Sequence, residues 1–148
     1  MATTIAAPAL EINAPLQTVW EILDDFERYP EWNPLTVHVH TSKLVGTPVI
    51  LDVRMGDSFR QVQKEKLIAY QPPYKLAWGE YLPRFILSAT RWQVLEVLDA
   101  QRTSYQTHET FSGPLEWLTM RLYQRIIEQG LTEMSQALKR RAESLRQP

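Results

Sequence analysis

The chain has 148 residues, 44% of them hydrophobic and 22% charged, with a net charge of −1. That length and balance imply one domain, residues 1–148, with a real hydrophobic core and no bulk attraction to nucleic acid or to an anionic membrane. The absence of cysteine excludes disulfides, thiol nucleophiles and Cys-ligated zinc.

Residues 4–12 read as a first strand, with Pro8 marking an edge position or a bulge. No basic region precedes an apolar core here, so neither a signal peptide nor a membrane span is expected, and the cytoplasm is the expected compartment. Asn13-Ala14-Pro15 then opens a helix with Leu16, Val19, Trp20 and Leu23 on one stripe. Residues 26–34 hold Pro30 and Pro34, which forbid a long helix, and Phe26, Tyr29 and Trp32, which are too apolar for an idle loop. A short helical turn that plugs one end of the core fits both features.

Strand-like alternation follows. Val37 and Val39 oppose His38 and His40; Val49, Leu51, Val53 and Met55 oppose Ile50, Asp52 and Arg54. Turns at Gly46, Gly56-Asp57 and Gln71-Pro72-Pro73 separate these runs from residues 59–70 and from a strand with Tyr74, Leu76 and Trp78 on one face. Residues 85–99 are long and apolar, with a slip of period at Val94-Leu95 that predicts a bulge. A hairpin loop at Asp99-Ala100-Gln101-Arg102 leads to the last strand, 103–111, with Tyr105, Thr107, Glu109 and Phe111 on one face.

Residues 113–145 form one long helix, roughly 48 Å at ~1.5 Å per residue. Gly113 suits the N-cap, Pro114 the first helical position and Glu116 the positive end of the dipole. Leu115, Leu118, Leu122, Tyr123, Ile126, Ile127, Leu131, Met134, Leu138 and Leu145 share one broad arc; Arg121, Arg125, Glu128, Thr132, Ser135, Lys139 and Glu143 lie opposite. Gly130 implies either a bend or a close approach of the sheet. Consecutive strands with segregated helices give an α+β fold, a curved antiparallel sheet of about seven strands around the long helix. One helix face cannot fill the concave side, so the large aromatic residues act either as core filler or as cavity walls.

No nucleophile elbow and no phosphate loop occurs. The basic residues of the last helix alternate with acids, which makes a solvated face rather than a nucleic-acid stripe. His38 and His40 share a strand face, better explained by solvation than by metal binding. Glu109 and Glu80 are weak catalytic candidates, because a carboxyl carried into an apolar cavity becomes harder to ionise and so suited to acid/base work. Arg91 and Arg84 are other inward polar candidates, as far as the uncertain register of 85–99 allows. Trp78, Trp92 and Tyr105 are wall candidates.

Ile12-Asn13-Ala14-Pro15, Val19-Trp20 and Tyr29-Pro30-Glu31-Trp32-Asn33-Pro34 resemble the opening signature of the START-like, birch-pollen-allergen-like (SRPBCC) superfamily. Leu76-Ala77-Trp78 and Glu109-Thr110-Phe111-Ser112-Gly113 extend the resemblance, which is nearest to the polyketide cyclase/dehydrase-type branch. It implies a helix-grip fold with a hydrophobic cavity between the sheet and the last helix, closed at one end by the short helices. The expected lining is Trp32, Val53, Met55, Trp78, Trp92, Tyr105, Thr107, Glu109, Leu118, Leu122 and Ile126. It also implies an entrance between residues 26–34 and 115–126. The expected ligand is a small hydrophobic, aromatic or lipid-like molecule, with no cofactor, no metal, no nucleic acid and no stable membrane insertion, in a monomer or homodimer. A cyclase- or dehydratase-like enzyme and a module regulating a partner protein are the alternatives.

Overall fold

The computed structural model describes residues 2–57, 59–80 and 87–145, with the side chain of Glu80 outside that set. Arg84, and the start of the strand expected over 85–99, also lie outside the described residues. The first strand is broken in two, β1 (Ala2–Ala6) and β2 (Leu10–Ile12), because Pro8 cannot donate to a ladder. Both pieces pair antiparallel with the last strand. Helix α1 (Leu16–Asp24) starts after Pro15, whose φ of −61° and ψ of 151° set it as the cap, and it buries Val19, Trp20, Ile22 and Leu23. A 3-10 helix, Phe26–Glu31, follows and buries Phe26 and Tyr29. The Tyr29 hydroxyl donates to the Leu23 carbonyl. Phe26 meets Trp78 edge-on, with ring centroids 6.3 Å apart, so this segment does plug one end of the core.

Six more strands follow: β3 (Thr36–Thr41), β4 (Pro48–Met55), β5 (Phe59–Gln71), β6 (Lys75–Glu80), β7 (Ser88–Asp99) and β8 (Arg102–Ser112). All neighbours are antiparallel, in the order β1-β8-β7-β6-β5-β4-β3. The bulge expected at Val94-Leu95 is absent. Strand β7 alternates without a slip from Ala89 to Leu95, and its register shifts only between Val97 and Asp99, next to the hairpin. The apparent slip arose because Trp92 and Val94 are large apolar residues on the outer face.

Helix α2 (Glu116–Ser144) begins two residues later than expected, with Leu115 rather than Gly113 as the cap, since Gly113 takes a φ of +110° and serves a turn. It runs unbroken through Gly130. A Cβ on Gly130 would sit 3.0 Å from Leu35 Cδ1 and 3.3 Å from Met55 Cγ, so close approach, not a bend, explains the glycine. One turn further along, Met134 Sδ accepts from the Tyr105 hydroxyl at 3.6 Å. The helix therefore touches β4 and β8 within one turn although three strands lie between them, and a flat sheet would hold those strands nearly 20 Å apart. The sheet must curl around the helix, which is the helix-grip arrangement.

Candidate functional site

The inner face of the sheet is set by strict alternation. On β4 it presents Leu51, Val53 and Met55; on β5, Phe59, Gln61, Gln63 and Glu65; on β6, Trp78; on β7, Ala89 and Arg91; on β8, Glu109 and Phe111. Together with Leu35, Thr36 and Leu87, and with Thr119, Tyr123, Ile127 and Leu131 of α2, these residues surround a pocket of about 280 Å³. That size is near the lower end of small-molecule sites, about 300 Å³. The pocket is not sealed, because the exposed Gln61 and Tyr123 lie on its lining. A larger hollow of about 390 Å³ lies outside, beside Glu21, Asp24, Asp25, Glu27 and Lys43. Its charges are satisfied locally: Asp24 holds Lys43 at 3.1 Å and accepts from Tyr70 at 2.8 Å. Burial and then that bond push the Tyr70 phenol up to about 12. The inner, mostly apolar pocket is the candidate site.

Of the residues expected around a cavity, Val53, Met55, Trp78 and Glu109 line this pocket. Tyr105 and Thr107 share the inner face but lie behind it, fully buried. The Tyr105 hydroxyl donates to Gln93 Oε1 at 2.7 Å, and Thr107 accepts from Arg91 Nε at 3.2 Å. Trp92 is on the outer face, stacked on its cross-strand partner His108 at 6.5 Å with Lys75 over the ring. Trp32 packs on Tyr29 and faces a separate groove beside Arg141 and Leu145. Leu118 and Leu122 are 36% and 60% exposed, and Ile126 packs toward Gly56 rather than into the pocket. The face that α2 turns to the pocket runs through Thr119, Tyr123, Ile127 and Leu131, one residue or ~100° away from the expected line. No residue of 26–34 lines the pocket; the chain reaches it only at Leu35 and Thr36.

Five polar residues were not placed there by the sequence: Thr36, Gln61, Gln63, Glu65 and Thr119. Counting alternate positions back from the buried Leu67 would have found the three on β5. Arg91, whose direction the sequence left open, points inward and is 6% exposed. It stands in a row of cross-strand partners, Leu67, Trp78, Arg91, Glu109 and Ile5. Its Nε and one terminal nitrogen donate to Thr107 and Thr36, both at 3.2 Å, and the other terminal nitrogen to Met134 sulfur. Burial pushes the neighbouring Tyr105 phenol up and outweighs the opposite pull of Arg91, so Tyr105 stays neutral. His108 is on the far side of the sheet, where partial burial pulls its imidazole down. The side chain of Glu80 lies outside the described residues.

His38 and His40 are exposed, and among the described residues no three His, Cys, Asp or Glu side chains group as a metal site. No described helix is long and apolar enough to cross a membrane.

The geometry defines a helix-grip protein with a mostly apolar pocket under its last helix. The chain belongs to the family described as polyketide cyclase / dehydrase and lipid transport, which matches residues 4–143. The Zhui aromatase/cyclase of Streptomyces sp. R1128 superposes with a TM-score of 0.78 at 17% identity, covering 97% of this chain and 94% of that one. A START superfamily protein from Mycobacterium smegmatis gives 0.74 at 19%, covering 96% and 98%. A norcoclaurine synthase from Thalictrum flavum gives 0.74 at 13%, covering 99% and 98%. At these identities the likeness is one of fold. No curated protein matches the chain in sequence.

Proposed function

We propose that this protein binds a small hydrophobic molecule, aromatic or lipid-like, between its sheet and α2. The observation that carries the reading is the pocket itself. Trp78, Phe111, Leu51, Val53, Ile127 and Leu131 supply apolar walls, and a few polar groups converge among them. An apolar lining left unfilled by side chains gains by burying an apolar ligand, about 25 cal/mol per Å² removed from water. Membership of a family described by both cyclase/dehydrase and lipid-transport activity supports the same reading. Native mass spectrometry on protein purified from its own source tests it. A co-purified molecule that disappears in Trp78→Ala and Ile127→Ala is expected, and ligand-free spectra together with no binding of apolar probes would refute it.

A second reading, acid/base catalysis on a polyketide-like substrate, is favoured by Glu109. This carboxylate lines the pocket on the strand position opposite Arg91. For that reading Glu109→Gln should abolish turnover of any substrate found while leaving binding and thermal stability nearly unchanged. Turnover that survives the substitution would remove Glu109 from the chemistry.

A further inference from the structure

Arg91 is a buried cation with neutral partners. The residue is 6% exposed, yet its partners are two threonine hydroxyls, the Tyr105 hydroxyl and a thioether, the last a weak acceptor. Among the described residues no carboxylate oxygen lies within 4.0 Å of its nitrogens. Buried arginine is rare without an anion, because removing a charge from water is costly unless a counter-charge comes with it. Tyr105 does not supply one, being neutral. The two terminal nitrogens carry four N–H groups between them, against partners at Thr36, the Met134 sulfur and the Tyr105 hydroxyl, and the residue lines the pocket. Two parallel N–H groups on one edge of a guanidinium match the two oxygens of a carboxylate.

We infer that the pocket takes a monocarboxylic acid with an aryl or alkyl body, its carboxylate on the Arg91 guanidinium and its body between Trp78, Phe111 and the Ile127–Leu131 face of α2. The inference rests on the small-molecule reading and narrows it to one chemical class. Glu65 and Glu109 line the same pocket, and each is engaged in an interaction of its own. They set the competing outcome, in which the pocket prefers an amine.

Matched probes decide between them. Calorimetry on the full-length protein at pH 7.5 compares the acid, the alcohol and the amine on phenylpropyl and decyl skeletons. The acid is expected to bind at least tenfold tighter than the alcohol, and the amine more weakly than either. The preference should fade as the pH falls below the acid's own pKa. In Arg91→Met the acid should fall to within threefold of the alcohol measured on the same variant. Arg91→Lys should recover part of the preference. Arg91→Met should keep a Tm at or above that of the wild type, since an apolar residue of similar length replaces a buried charge. If that variant does not fold, the wild-type series and its pH dependence still give the answer. Equal binding of acid and alcohol, or a preference for the amine, overturns the inference and leaves the small-molecule reading standing. If none of the probes binds, the inference falls, and the small-molecule reading falls with it where the native spectra are also ligand-free.

Discussion

Along α2, Leu131, Met134 and Leu138 are at most 1% exposed, whereas Leu122 is 60%, Trp117 62% and Tyr123 43% exposed. The first half is the richer in large apolar residues, yet it buries none of them fully: only Met120 and Ile126 pack partly against the core. From Ile127 onward the helix packs against the inner sheet face, and Lys139 and Glu143 tie it to the strand–helix turn: Lys139 Nζ donates to the Glu11 carbonyl at 2.6 Å, and the Asn13 amide donates to Glu143 at 3.1 Å. Before Ile127 the helix spans the pocket, and only Thr119 and Tyr123 face inward over it. A helix face above a void has few atoms to touch, so its apolar residues gain little from where they stand. The first half is held at the edge of the core, by Met120 and Ile126, by Tyr123 edge-on to Phe59 and by the bond from Thr3 to Glu116. It is the half that can move with less disturbance of the core.

The largest effects should separate the halves directly. Leu131→Ala or Leu138→Ala should cost about 2–5 kcal/mol in urea unfolding, the range for emptying a close-packed site. Leu122→Ala should change stability by no more than about 0.5 kcal/mol. Similar costs in the two halves would mean that the first is packed against something in solution. Hydrogen exchange should show the same asymmetry, with amides of residues 119–126 at least tenfold less protected than those of 131–142. Adding a bound ligand should raise protection in the first half and at β5, and leave residues 26–34 nearly unchanged, because that segment plugs the core beside Trp78 and does not line the pocket.

Gly130, at the junction, tests how rigid the boundary is. Alanine is favoured over glycine in a helix by about 1 kcal/mol. The added methyl would press on Leu35 Cδ1, the end of its side chain, and on Cγ in the middle of the Met55 side chain; both residues border the pocket and can retreat into it. Gly130→Ala should therefore stabilise by roughly 0.5–1 kcal/mol and weaken binding of any pocket ligand. A loss of stability beyond about 1 kcal/mol would show that the strand and helix are locked together there.

The same asymmetry explains what could be read from the sequence. Strand β8 was legible because Tyr105, Thr107, Glu109 and Phe111 alternate cleanly and all turn inward. Strand β5 was not, because Gln61, Gln63 and Glu65 are polar and inward while Val62 is apolar and 68% exposed. Hydrophobic alternation assigns faces only where the inner face is apolar, and a ligand site relaxes that condition. On α2, Leu115, Leu118 and Leu122 drew the expected contact line toward themselves, though they contact little. The helix, the plug and the sheet order follow from patterns that serve packing. The lining of the pocket departs from those patterns, and Arg91 departs furthest, as a buried charge on the strand face that also carries Ala89, Gln93 and Leu95.

The smallest effect concerns the tether of the second half. The bond from Lys139, at 2.8 Å, and then that from the Asn13 backbone hold the Glu143 carboxyl below its ordinary value of 4.5. Between the two values the unfolded chain binds the proton that the folded chain refuses, so stability falls as the pH falls through this window. The contribution is fully present above about pH 4.5 and gone once Glu143 is protonated in the folded state. Its side chain is 29% exposed and the pair is of the i,i+4 type, so it should be worth only about 0.3–0.5 kcal/mol. Glu143→Gln should lower stability by that amount at pH 7 and by nothing measurable near pH 3. Lys139 keeps its bond to the Glu11 carbonyl in the variant, which is why the loss stays small. A deficit that persisted unchanged at pH 3 would mean that Glu143 anchors the helix by packing rather than by charge.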